Sequence, residues 1–60
     1  MILTIYHHDS VHKFPQLYSR YVYNVDEKGW LNVYKRDPIT GDETLRATFT
    51  RFDYFLIEEA

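Results

Sequence analysis

The pattern of apolar and polar positions marks several short strand candidates: one, residues 44–50, alternates with the period of two of a half-buried strand, and the others are carried by β-branched and aromatic content. Residues 2–8 (Ile-Leu-Thr-Ile-Tyr-His-His) are rich in β-branched and aromatic types and predict a strand. Residues 9–16 show no clean period, and Pro15 disfavours helical backbone at Phe14, so this stretch reads as a loop with at most one helical turn. Residues 17–25 carry the strongest strand propensity of the chain. Asp26-Glu27-Lys28-Gly29 has Asp first and Gly fourth, the pattern of a type I turn closed by a left-handed glycine bulge. Residues 30–36 predict the next strand. Asp37-Pro38-Ile39-Thr40-Gly41 repeats the turn signal, and residues 44–50 alternate strictly. In the tail, 51–60, Thr50-x-x-Asp53 has the form of a capping box for a short helix. Tyr54-Phe55-Leu56-Ile57 favours a closing strand that pairs with residues 2–8.

The fold class that follows is all-β, with one short helix as the variant. It is a single domain over 1–60: a small antiparallel meander of about five strands, as a twisted sheet or an SH3- or OB-like barrel. Barrel closure would remove the exposed edges that make small sheets aggregate.

Turn length sets which side chains share a face. A three-residue loop at 27–29 pairs Val25 with Leu31. It groups Tyr21, Tyr23, Val25, Leu31 and Val33 on one face, and Tyr18, Arg20, Val22, Asn24, Trp30, Asn32, Tyr34 and Arg36 on the other. For the second hairpin, a four-residue loop at 38–41 pairs Tyr34 with Leu45 and sets Leu45, Ala47 and Phe49 beside Trp30 and Tyr34. A loop one residue different sets them beside Leu31 and Val33. Either way, strand 30–36 is apolar on both faces, and the second face needs a cover.

Sixty residues is a small amount of chain to stabilise, and with no cysteine neither a disulfide nor a thiolate zinc site can help. Six Tyr, four Phe and one Trp offer dense aromatic packing in their place. The net charge of −2 gives no footprint for nucleic acid or an anionic membrane. The N-terminus lacks a basic region followed by a long apolar run, and no stretch is long enough to span a bilayer, so the expected location is the cytoplasm.

Little of the sequence points to catalysis. His7-His8-Asp9-x-x-His12 has metal-ligand types, but adjacent strand residues point to opposite faces, so surface histidines are the expected reading and no metal or cofactor is assigned. Ser10 lies near histidines without an oxyanion hole in prospect. The acidic pairs Asp26/Glu27, Asp42/Glu43 and Glu58/Glu59 fall at turns or at the end of the chain, where solvated charge is ordinary.

The interleaving of aromatic and basic residues is more suggestive. Tyr18, Arg20, Trp30, Tyr34, Arg36 and Arg46, with Arg51 nearby, are the candidate binding residues, because Trp, Tyr and Arg dominate protein–protein hot spots. The expectation is a non-enzymatic module that binds a protein partner, as a small inhibitor or adaptor. Proteins of this size recur on phages and mobile elements in that role, an association by size alone. The alternatives are a single-stranded nucleic-acid binder, stacking bases on the same rings, and a homodimer that spends its aromatic face on itself.

Overall fold

The computed structural model describes residues 1–59, and Ala60, the last residue of the expected tail, lies outside them. Six strands form two three-stranded antiparallel sheets: β1 (Ile2–His7), β2 (Ser10–Phe14), β3 (Tyr21–Val25), β4 (Leu31–Arg36), β5 (Glu43–Phe49) and β6 (Tyr54–Glu58). The first sheet has the order β2-β1-β6 and the second the order β3-β4-β5. The sheets are not closed into a barrel, which corrects that expectation, and the described residues contain no helix.

The loop expected at 9–16 is instead a strand. His8 and Asp9 form a two-residue turn, and β2 folds back on β1 with Tyr6 opposite Val11 and His7 opposite Ser10. His8 takes φ +52° there, where such turns usually place glycine or asparagine. The strand expected from residue 17 begins only at Tyr21. Residues 16–20 coil into a tight bend in which the Gln16 carbonyl accepts the amides of Ser19, Arg20 and Tyr21 and the Ser19 hydroxyl. Gln16 and Tyr18 both have positive φ in this bend, at 58° and 71°. The bend drives Leu17 inward, where it is buried between the sheets. At the tail the strand reading holds: β6 pairs with β1, from Ile2 opposite Glu58 to Tyr6 opposite Tyr54.

Both glycine turns form as their residues dictate. The Asp26 carboxylate accepts the amides of Lys28 and Trp30 at 2.9 and 3.0 Å, and Gly29 has φ +82°. The Asp37 carboxylate accepts those of Ile39 and Thr40 at 2.8 and 3.2 Å, and Gly41 has φ +78°. These amides hold both carboxyls below the usual range, the Trp30 amide chiefly for Asp26 and the Ile39 amide for Asp37.

β1 and β4 are the central strands, and their inward side chains, Leu3 and Ile5 against Leu31 and Val33, make the buried core with Leu17. Aromatic rings seal its margins. Phe14 of β2 meets Tyr21 and Phe49 edge-on at 5.5 and 6.1 Å, and Tyr23 of β3 meets Phe55 of β6 at 5.7 Å. The short chain thus encloses few aliphatic residues and walls them with rings, each of which buries about 150–250 Å² when fully covered.

Candidate functional site

The outer face of the second sheet carries most of the candidate residues, arranged in rows across β3, β4 and β5. The three-residue turn at 27–29 gives the expected register: Val25 opposite Leu31, Tyr23 opposite Val33 and Val22 opposite Tyr34. On the other side of β4, the register shifts between Val33 and Tyr34. Leu31 and Val33 face Phe49 and Ala47, whereas Tyr34 faces Leu45, leaving Arg46 as the extra residue of a β-bulge. The two registers weighed from sequence are therefore both present, one on each side of the bulge, and the expectation that Leu45, Ala47 and Phe49 share a face is corrected. Ala47 and Phe49 turn towards the core layer and Leu45 joins the outer face.

Three rows result. Nearest the 26–30 turn is a polar ladder. The Asn32 amide donates to Asn24 Oδ1 at 3.2 Å, and the Thr48 hydroxyl donates to Asn32 Oδ1 at 2.9 Å. The middle row is apolar: Val22 and Tyr34, both half-buried, and Leu45, 56% exposed. The third row is charged. Arg36 donates to Glu43 Oε2 at 3.1 Å and to the Tyr18 carbonyl at 3.2 Å, while its amide donates to the Arg20 carbonyl at 2.6 Å.

The structure thus brings Tyr34, Arg36, Arg20 and the backbone of Tyr18 to one end of the face, with Arg46 exposed in the bulge beside Leu45. Beyond Arg36, an open cleft of about 450 Å³ is lined by Arg20, Lys35 and Arg36 together with Asp37 and Asp42. Trp30 does not join this group. Four residues along a strand span about 13 Å, and the asparagine ladder lies between Trp30 and Tyr34. The Trp30 ring is instead covered by the Lys28 ammonium, 4.6 Å from its centroid. Arg51 lies exposed in the link between β5 and β6, outside the strands that form these rows. The Tyr18 side chain, 51% exposed, leans towards Tyr23 at 6.3 Å. Burial, assisted by the neighbouring Tyr18, pushes the Tyr23 phenol above its usual range.

Sequence reasoning placed Leu45 opposite Tyr34 in one of its two registers, but it missed the crossing of Ala47 and Phe49 to the core side, because nothing in residues 44–50 signals a bulge at Arg46, and it read Glu43 only as solvated turn charge. It also missed the outer face of the first sheet. There Tyr6 stacks on Tyr54 at 4.6 Å and 21°, Val11 sits opposite Tyr6, and Leu56 sits opposite Thr4. Reading residues 9–16 as a loop hid that face.

The histidines do not converge. The His7 and His8 rings tilt against each other at 4.3 Å, and His12 lies on Phe49 at 5.1 Å. The described residues hold no group of three or more His, Asp or Glu side chains placed to bind a metal. No protein-family model, no curated protein and no solved structure matches the chain.

Proposed function

We propose that this chain is a non-enzymatic protein-binding module that meets its partner with the outer face of the second sheet, acting as a small inhibitor or adaptor. One observation carries the reading: Tyr34 lies between Val22 and the exposed Leu45, with Arg36, Arg20 and Arg46 around it. An apolar strip with a tyrosine at its centre and arginines at its rim has the composition of a protein–protein hot spot. The same rows favour a protein over a nucleic acid. Arg36 is already bonded to Glu43, and Asp37 and Asp42 share the cleft with the cations, so no continuous basic track runs across the face.

The test is affinity capture from the source cells with three baits: the native chain, Tyr34→Ser with Leu45→Ser, and Trp30→Ser. Hot-spot truncations cost about 2 kcal/mol or more, roughly a thirty-fold loss of affinity. The double variant is expected to lose the partner by that margin and the Trp30 variant to keep it. Equal capture by all three baits would overturn the assignment. Binding of a mixed-sequence single-stranded oligonucleotide at low salt, lost steeply as salt rises, would replace it with the nucleic-acid reading.

A further inference from the structure

Neither sheet is closed, so four strand edges face outward, and they are not equally protected. β5 is distorted by its bulge. β2 carries Lys13 near its end and runs into Pro15. Beside β3, the bend at 16–20 folds back so that Leu17 bridges Tyr21. Bulges, lysines, prolines and covering loops are the devices that stop edges from pairing. β6 has none of them within Tyr54–Glu58. Its residues are also unusually apolar for an edge in solvent, with Tyr54, Leu56 and Ile57 at 53%, 45% and 39% exposure.

We infer that a second copy of the chain adds to this edge, antiparallel, about a two-fold axis through Leu56. The strand is complementary to itself in that register. All five residues find a partner: Leu56 meets Leu56 of the second copy, Phe55 meets Ile57, and Tyr54 meets Glu58. The outcome is apolar against apolar, and a phenol able to donate to a carboxylate, with no like charges directly opposed in the strand. The flanking acids Asp53 and Glu59 fall outside the paired residues, and Asp53 is turned back to accept the His8 amide at 3.0 Å. A foreign strand would need to supply this pattern, whereas a second copy carries it already. The product is one continuous six-stranded sheet. Its outer face runs Lys13–Thr4–Leu56 across the axis into the same three residues reversed, and Tyr54, stacked on Tyr6, lies beside Glu58 of the second copy. This interface uses the first sheet, so it stands or falls independently of the binding face on the second.

The absence of cysteine makes the test clean. Cross-strand partners sit with Cα atoms about 4.5–5.5 Å apart, within the span a disulfide bridges. Leu56→Cys is therefore expected to give a covalent dimer under oxidised glutathione. Leu45→Cys, as exposed but on the bulged β5, should cross-link about 100-fold more slowly, lacking a pre-assembled partner thiol. In parallel, light scattering on a sizing column should show the native chain shifting from monomer to dimer as concentration rises a hundred-fold. Leu56→Lys, which sets two cations against each other on the axis, should remain monomeric with an unchanged far-ultraviolet circular dichroism spectrum. A native chain that stays monomeric throughout, equal cross-linking rates for the two cysteines, or a persisting Leu56→Lys dimer would each overturn the inference.

Discussion

Two kinds of residue show how local chemistry sets stability. Thr4 lies on the central strand of the first sheet, fully buried, and its hydroxyl has no hydrogen-bond partner. A buried polar group left unpaired is costly, and replacing it by an apolar group of the same shape removes that cost. Thr4→Val is expected to raise stability by about 1 kcal/mol, read as a higher denaturant midpoint at unchanged slope. Asp26 and Asp37 act in the opposite sense, because turn amides favour their charged forms. A carboxyl whose pKa is lowered by folding contributes stability that is present above its unfolded value and lost as pH falls through its folded value. Stability from these two turns should hold from neutrality to about pH 5 and decline below about pH 4. Asp26→Asn and Asp37→Asn should each lower the neutral-pH midpoint and flatten the acid limb, measured by urea unfolding across pH 2–7. An unaltered acid limb in both variants would show that the turn carboxylates do not control acid unfolding.

At the scale of elements, the decisive feature is the bulge in β5. Arg46 is the residue without a cross-strand partner, so removing it leaves Ala47 opposite Val33 and Leu45 opposite Tyr34. Deleting Arg46 should therefore preserve the fold at a cost of no more than about 1–2 kcal/mol. Deleting Thr48 instead, with Phe49 held opposite Leu31, would carry Arg46 opposite Val33 into the core layer and should abolish cooperative thermal unfolding. Equal damage from both deletions would refute the register. The elements legible in the sequence were those with a local physical signature. The Asp–Gly turns declared themselves through a side-chain acceptor and a glycine free to take positive φ, and the 27–29 turn in turn set which residues of β3 and β4 share a face. β2 was hidden for the converse reasons. Its turn uses His8, with no glycine or asparagine to mark it, and β2 is an edge strand exposed over most of its length, so no alternation was imposed on it. The candidate surface was legible to the same degree. Tyr34 and Arg36 follow from turn length, and Leu45 opposite Tyr34 from the four-residue turn that was one of the two registers weighed, whereas the turn of Ala47 and Phe49 to the core depends on a bulge, and the separation of Trp30 on the asparagine ladder between it and Tyr34.

At the scale of the molecule, the expected barrel gives way to two short sheets because the chain changes sheet only twice, through the bend at 16–20 and the link at 50–53. Backbone hydrogen bonds at those crossings, such as Leu17 to the Met1 carbonyl and Asp53 to the Tyr6 carbonyl, tie the links to the first sheet, and no described strand of one sheet pairs with a strand of the other. The same connectivity governs how the fold is reached. β1 is the first strand of the chain, yet it lies between β2 and β6, the last. Half of its backbone pairing waits on residues more than forty positions away, with Tyr6 opposite Tyr54 the nearest in sequence and Ile2 opposite Glu58 the farthest. The meander β3-β4-β5, by contrast, closes through two short turns of local contacts. Loop-closure entropy must be met before distant pairs add stability, so the meander is the kinetically accessible half and the first sheet is the slow one. During synthesis, Leu3 and Ile5 leave the ribosome before the meander does, yet stay open on one flank until Glu58 has followed, so β1 is completed only after strands made later than itself.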